Sequence, residues 1–234
     1  MNKTILVTGA TRGIGQAIAK KFKQEGATVI GTGTMPQKTA DYLDLYINCD
    51  FTDFDNIETL CKKLSEINVD VLINNAGINI ISDFCSITSN DFLRVQRVNV
   101  YAPFRLSQAV IPNMLANSWG RIVNISSVWG KISKAGRASY STSKFGIDGM
   151  TLALANEVAS QGILCNCVAP GFIDTEMTWN NLGQTGVDKI LENVPIKRLA
   201  KVEEVANLVY MLGSEQNTYI SGQNIAIDGG FTRA

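Results

Sequence analysis

Seven short runs rich in β-branched residues recur along this chain, with longer helix-patterned segments between them, and that alternation restricts the possible folds more than any other feature. The runs are TILVT (4-8), TVIGT (28-32), LYINC (45-49), VDVLIN (69-74), RIVNIS (121-126), ILCNCVA (163-169) and NIAID (224-228). Each has the length and residue types of a strand. Between them, Ile14, Ala17, Ile18 and Phe22 make an apolar stripe at helical spacing, and Val202, Val205, Ala206, Val209 and Leu212 make another. Such stripes must be buried against a sheet. Strand–helix–strand repetition produces right-handed crossovers, so the expected fold class is α/β: a doubly wound, seven-stranded, mostly parallel sheet with helices on both faces. No composition break or Pro/Gly/Ser linker marks a second unit, and one domain over 1-234 is expected. The stretch from Phe172 to Arg198 fits the alternation less well, with only a short helical run before Pro195. Within it, 176-198 is placed where a lid over a ligand crevice would lie; a solvated loop fits the same residues.

Composition removes several function classes. The 21 basic and 21 acidic residues cancel, and no dense Lys/Arg block appears, so no field recruits nucleic acid or an anionic membrane. The chain starts directly into a strand-like segment and contains no run of 18 apolar residues, which leads to the expectation of a cytoplasmic protein with no membrane partner. Histidine is absent. A Ser-His-Asp triad, a histidine metal centre and a histidine general base are thereby excluded. Cys49, Cys61, Cys85, Cys165 and Cys167 are odd in number and lack a C-x-x-C pair, which argues against a disulfide framework or a zinc site and for buried thiols. No metal is expected. Acid–base chemistry falls to Tyr, Lys, Asp, Glu or Cys.

VTGATRGIG (7-15) follows the first strand and opens the first helix, with Gly9, Gly13 and Gly15 at G-x-x-x-G-x-G spacing. A glycine permits the sharp turn, another lets a pyrophosphate approach main-chain N–H groups, and the helix N-terminus adds partial positive charge. Read alone, the same loop is also a strand-to-helix turn with no ligand. The second strand ends IGTGT, leaving Gly33 and Thr34 where an NAD-selecting carboxylate would fall. Thr34 can donate to a 2′-phosphate and Arg12 can supply charge, so NADP(H) is favoured. Arg12 can also be read, less readily, as a solvated loop arginine.

The segment ASYSTSKFG places Tyr140 and Lys144 one helical turn apart. By itself that spacing describes an amphipathic helix surface as well as it describes a catalyst.

Across nearly its whole length the chain resembles the short-chain dehydrogenase/reductase family and, within it, the bacterial 3-oxoacyl-[acyl-carrier-protein] reductases. TGATRGIG, NNAG (74-77), Asn99 in NV, GRIVNISS ending at Ser127, YSTSK, PGFIDTEM (170-177) and YISGQNIAIDGG (219-230) occur in family order at family distances. The resemblance implies a Rossmann-like fold and a catalytic tetrad of Asn99, Ser127, Tyr140 and Lys144. It also implies an NADP(H) site made by Gly9, Thr11, Arg12, Gly13, Ile14 and Gly15, by Thr34, and by Asp50 and Phe51 near the adenine. Asn75, Ala76 and Gly77 would line the middle of the cofactor, Tyr140 and Lys144 its reactive end, and Pro170, Gly171, Ile173 and Thr175 the nicotinamide amide.

The chemistry of those assignments can be stated on its own. Reduction of a ketone adds hydride to carbon while oxygen gains negative charge, so an acid must deliver a proton and donors must hold the oxygen. Tyr140 is the candidate acid. A free phenol has a pKa of about 10, and an adjacent ammonium, Lys144, is expected to lower it. Ser127 is placed to orient the carbonyl, although paired serines after a strand also serve as helix caps. Asn99, in a segment expected to be helical, would connect Lys144 to water.

Two positions depart from the carrier-protein reductases. Basic residues that would dock an acidic carrier are replaced by Ser118 in NSWGRI and Gln161 in ASQGIL. Electrostatic attraction would be lost there. Lys131, Lys134 and Arg137 either compensate or are solvated, and Trp129 and Trp179 either pack on substrate or on the protein. Three readings follow: a reductase of a 3-oxoacyl thioester, the same chemistry on a sugar derivative or other small ketone, and a nucleotide-binding regulatory protein without turnover. The resemblance also implies a homotetramer built through helices covering 92-116 and 144-160 and the C-terminal strand.

Overall fold

In the computed structural model, which describes residues 1–36 and 39–233, all seven expected strands form one sheet: β1 (Thr4–Val7), β2 (Thr28–Gly33), β3 (Leu45–Asn48), β4 (Val71–Asn74), β5 (Gly120–Ile125), β6 (Ile163–Pro170) and β7 (Asn224–Ile227). Their order is β3-β2-β1-β4-β5-β6-β7. Every adjacent pair is parallel, so the sheet is wholly rather than mostly parallel. Ala234, the last residue of the expected 1-234 span, lies outside the described residues. The chain builds outward from β1 to β3 and then crosses back to lay β4 on the other side of β1, with Ile5 opposite Val71 and Val7 opposite Ile73. That reversal opens a crevice at the carboxyl ends of β1 and β4, where the loops leave in opposite directions.

The helices are α1 (Gly13–Gln24), α2 (Phe54–Ser65), α3 (Ser89–Gln96), α4 (Ala102–Ala116), α5 (Ala138–Val158), α6 (Glu176–Leu191) and α7 (Val202–Gly213). Successive strand residues point to opposite faces, and β1 shows the result. Leu6 joins a core with Leu60 of α2, Leu106 of α4 and Val158 of α5, whereas Ile5 and Val7 join one with Phe22 of α1 and Val209 of α7. A strand clad on both faces needs an unbroken apolar run, which TILVT supplies. The two predicted apolar stripes meet here, and Phe22 packs edge-on to Tyr210 at 5.3 Å between ring centroids.

Two elements differ from expectation. The segment 92-116 is not one regular helix: a π-helical stretch, Arg97–Tyr101, joins α3 to α4. The 172-198 excursion holds the 16-residue α6 rather than a short helical run, broken at Gly183 (φ 59°, ψ −179°). Its base is pinned, because Asp174 N–H donates to the Ala200 carbonyl at 2.8 Å and Ala200 N–H to the Phe172 carbonyl at 3.0 Å. The Asn-Asn and Gly-x-x-Gly residues within WNNLGQTG are poor helix formers, so sequence pattern understates this helix. No described helix is long and apolar enough to cross a membrane.

Candidate active site

Side-chain caps are made at α2 by Asp53, at α3 by Thr88 and at α6 by Thr175. Helix α1, like α4 and α5, has no such cap: Arg12 at its N-cap makes no side-chain cap hydrogen bond, and no acid sits in its first turn. Its leading N–H groups and its positive pole therefore face the crevice uncompensated, the condition under which a helix end holds a phosphate. Close backbone packing makes this end possible. A Cβ on Gly15 would collide with the Gly9 carbonyl and the Asn75 amide, and Gly13 adopts φ 55°.

A cleft of about 620 Å³ runs from this helix end across the carboxyl ends of the strands. All the residues assigned above to cofactor binding line it, from Gly9 to Thr175, together with Ser127. The volume and chemistry suit a dinucleotide: uncapped N–H groups at one end, a polar middle, and the Tyr140–Lys144 pair at the other. The middle is braced by Asn75, whose amide donates to the Thr8 carbonyl at 2.9 Å and the Gly9 carbonyl at 3.2 Å. Thr8 Oγ1 in turn accepts from the N–H groups of Asn75 and Ala76, each at 2.9 Å. The NNAG segment thus locks β4 to the glycine loop. Asn74 continues the bracing by donating to Asn124 at 2.7 Å, and Asn124 donates to Thr151 at 2.8 Å.

Tyr140 and Lys144 lie in the first two turns of α5, on one face. Burial raises the Tyr140 phenol, while the Ser127 hydroxyl and the Arg137 charge pull it back down. Arg137 is thus a cation near the phenol that the spacing of Tyr140 and Lys144 did not point to. Lys144 Nζ donates to the Ile125 carbonyl at 2.7 Å, lies 5.5 Å from the centre of the Tyr140 ring, and is held down to about 8 by burial. Ser127 caps the turn Val128–Gly130, its oxygen accepting from Trp129 N–H at 3.2 Å, while its hydroxyl bears on the Tyr140 phenol.

Asn99 is placed under the site rather than on the cleft surface. It sits in the π-helical stretch, and its amide donates to the Ile78 carbonyl and to Ser143 Oγ, both at 2.9 Å, while its oxygen accepts from Ile78 N–H at 2.9 Å. Both amide hydrogens are committed. A Cβ on Gly77 would lie 3.4 Å from Asn99 Oδ1 and 3.7 Å from Lys144 Nζ, so these two groups approach each other across Gly77.

Several residues at the cleft escape the motifs. Asn79 lines it with a buried, unpartnered Oδ1; its only sequence signal is position, two residues after NNAG. Glu176, the first residue of α6, reaches Arg12 at 3.7 Å, with both side chains well exposed. Trp129 is buried in an aromatic group with Phe172 and Phe231, and Trp179 hangs at the surface, donating to Asp174 at 2.7 Å. Four cysteines are buried as expected, but Cys85 is exposed. Burial pushes Cys49, Cys165 and Cys167 up to about 12, so those thiols are not acid–base candidates near neutral pH. Ser118 and Gln161 stand just before the starts of β5 and β6. In a parallel sheet that edge is opposite the cleft, so within one subunit neither position adjoins Tyr140.

Comparison with known proteins places the same architecture in a large group. A family model described as enoyl-(acyl carrier protein) reductase matches residues 9–232. The chain is 40% identical over 236 residues to the 3-oxoacyl-[acyl-carrier-protein] reductase FabG of Buchnera aphidicola subsp. Schizaphis graminum, covering 97% of this chain and 96% of that protein. It is 41% identical over 238 residues to the protein of that name from Escherichia coli K12, with the same coverage of 97% and 96%. Among solved structures, a candidate NAD(P)-dependent gluconate 5-dehydrogenase from Beutenbergia cavernae with bound NADP superposes with a TM-score of 0.94 at 31% identity, over 99% of this chain and 97% of that one. A 4-hydroxyisoleucine dehydrogenase complexed with NADH has a TM-score of 0.92 at 31% identity, with 100% of each chain covered.

Proposed function

The chain belongs to the short-chain dehydrogenase/reductase family, and from that membership we propose that it is an NADPH-dependent reductase of 3-oxoacyl compounds. The observation that carries this reading is the single cleft that joins an uncapped helix N-terminus to Tyr140, Lys144 and Ser127. The bound dinucleotide supplies hydride. Gly9, Thr11, Gly13, Ile14 and Gly15 hold its pyrophosphate, Arg12 and Thr34 its 2′-phosphate, Asp50 and Phe51 its adenine, and Pro170, Gly171, Ile173 and Thr175 its carboxamide. The relatives named as 3-oxoacyl-[acyl-carrier-protein] reductases support the 3-oxo unit as the group reduced.

The protein's own steps concern the carbonyl oxygen. Ser127 donates its hydroxyl hydrogen to that oxygen and fixes its direction, and Tyr140 delivers the proton as negative charge develops. Arg137 and Ser127 make the phenol easier to ionise against the cost of burial. Lys144 anchors the reactive end from the Ile125 carbonyl and holds positive charge beneath the phenol. Asn99 positions this group by fixing Ile78 and Ser143. The 176-198 region, built around helix α6, pinned at its base and hinged at Gly183, acts as a lid over the crevice.

Exposed Phe104, Phe145 and Leu152 on α4 and α5 support self-association through those helices as a homotetramer. An acyl carrier protein would meet Ser118 and Gln161 without basic charge. A second reading, reduction of a small free ketone, is favoured by that missing charge. The discriminating measurement is NADPH oxidation with acetoacetyl-CoA, an acyl-carrier-protein thioester and small oxo acids or sugar ketones. No turnover with any of them, with NADPH still bound, would favour a regulatory protein and refute both reductase readings.

A further inference from the structure

Arg137 acts on the Tyr140 phenol through its charge, yet the fold gives its guanidinium no partner of its own among the described residues. It is 9% exposed, its Nε is buried without a hydrogen-bond partner, and no carboxylate among the described residues pairs with it. Burying an unpaired guanidinium is costly, and proteins ordinarily answer that cost with an acid. Here the surroundings increase it. Arg137 is the N-cap of α5, a 21-residue helix with no acid in its first turn, so the side chain adds charge to the positive helix pole. Lys134 lies 5.3 Å and Arg137 5.8 Å from the centre of the Trp129 ring, so a second cation shares the same aromatic surface. Burial and the Arg137 charge together depress Lys134. Two cations and a helix pole converge with no anion among them.

The position on α5 says what the missing anion belongs to. Arg137, Tyr140 and Lys144 fall at i−3, i and i+4, one face of one helix. Lys144 lies one turn after Tyr140 and lines the cleft; Arg137 lies one turn before it, just beyond the cleft lining, with its charge acting on the Tyr140 phenol. Resting on the reductase reading, we propose that Arg137 binds the carboxylate of a small oxo acid, so that the preferred substrate is the free acid rather than its ester or thioester. The two Nη groups at the end of a guanidinium match the two oxygens of a carboxylate, and a monoanion neutralises the one buried charge. In the reaction, hydride from NADPH joins the carbonyl carbon and the Tyr140 proton joins its oxygen. NADP⁺ and the hydroxy acid leave, the carboxylate is unchanged, and solvent returns the proton to Tyr140. Arg137 is a specificity-determining residue here; it delivers no proton, and its charge bears on the transfer only through the Tyr140 phenol.

The test uses the full chain with NADPH and three substrates sharing one 3-oxo unit: acetoacetate, ethyl acetoacetate and acetoacetyl-CoA, with 2-oxo and 4-oxo acids to find the spacing. The expected result is a higher kcat/KM for a free oxo acid than for the ester. In Arg137→Gln the acid-to-ester ratio falls by roughly 10²-fold, mainly through KM, and Arg137→Lys recovers part of it. A wild-type preference for ester or thioester, or an unchanged ratio in Arg137→Gln, overturns the proposal while leaving the reductase reading intact. If Arg137→Gln does not fold, the wild-type ratio and Arg137→Lys decide. Titration of 3-hydroxybutyrate into the NADPH complex, two reduced partners that cannot exchange hydride, gives a readout without turnover: binding is expected in the wild type and lost in the variant, and no binding in the wild type overturns the proposal. Absence of reduction of every ketone, combined with 3-hydroxybutyrate binding that depends on Arg137, would refute the reductase reading and not the anion site.

Discussion

Lys144 Nζ donates to the main-chain carbonyl of Ile125 at 2.7 Å, and the Tyr140 ring centre lies 5.5 Å from the same nitrogen. The ammonium is thus anchored to the end of β5, away from direct contact with the phenol. Its charge is available to the site only while it stays protonated, and burial holds that ionisation down to about 8.

From this anchoring comes a pH dependence. Below about 8 the ammonium is present in the free enzyme, and above that value it is progressively lost, so kcat/KM for carbonyl reduction should fall on the alkaline side with an apparent pKa of about 8. Lys144→Arg should move the limb upward in whatever activity remains. A flat profile between about pH 7 and pH 9.5 contradicts the role given to Lys144.

Removing the phenol hydroxyl takes away the proton donor without touching the helix end or the glycine loop. Tyr140→Phe is expected to lower kcat by roughly 10²-fold to 10⁴-fold, with NADPH binding by fluorescence within about threefold of the parent. Turnover near the parental rate in that variant would falsify the assignment of Tyr140 as the acid.

Arg12 is shared between Glu176, at 3.7 Å, and any 2′-phosphate. Because both side chains are largely exposed, the pair itself contributes little to stability. Glu176→Gln should lower KM for NADPH by a few-fold and leave KM for NADH unchanged. Thr34→Asp should act the opposite way, placing a carboxylate beside the ribose. The neighbouring Gly33 is a poorer site for that exchange, since a Cβ there would lie 2.8 Å from Thr11 Cγ2 and 2.9 Å from the Tyr46 hydroxyl. Steady-state kinetics with both cofactors decides; unchanged discrimination in both variants removes Arg12 and Thr34 from phosphate recognition.

Gly183 holds φ 59° in the middle of α6, with open space around its Cα. Gly183→Ala therefore meets no steric neighbour but is strained by the left-handed backbone, at a cost of about 1 kcal/mol. If α6 is a lid hinged there, KM for the ketone should change more than thermal stability does. A shift in Tm with unaltered KM would place Gly183 outside the closing motion.

Much of this site is legible before any coordinates. The seven strands follow from β-branched runs because a strand buried on both faces has few alternatives to a continuous apolar segment. The glycine loop and the Tyr140–Lys144 spacing are equally readable, since both depend on local backbone geometry. Local pattern fails where propensity and context diverge. WNNLGQTG reads as an irregular excursion, although Val187 in α6 and Val194 just beyond it are buried against the body of the protein. The π-helical turn at Asn99 keeps helical periodicity in sequence and departs from it only in hydrogen bonding.

By itself, the sequence determined the fold class, the helix end that suits a phosphate and the absence of any histidine chemistry, because these follow from residue type and from spacing within a few positions. Tertiary structure alone decided how the cations around Tyr140 are held. Lys144 is one turn away in sequence, yet β5 brings the Ile125 carbonyl within 2.7 Å and captures it, while Arg137 is folded under Trp129 with no anion to pair with. Burial and long-range hydrogen bonding set the charge of those groups, and neither can be read from the spacing of letters along one helix.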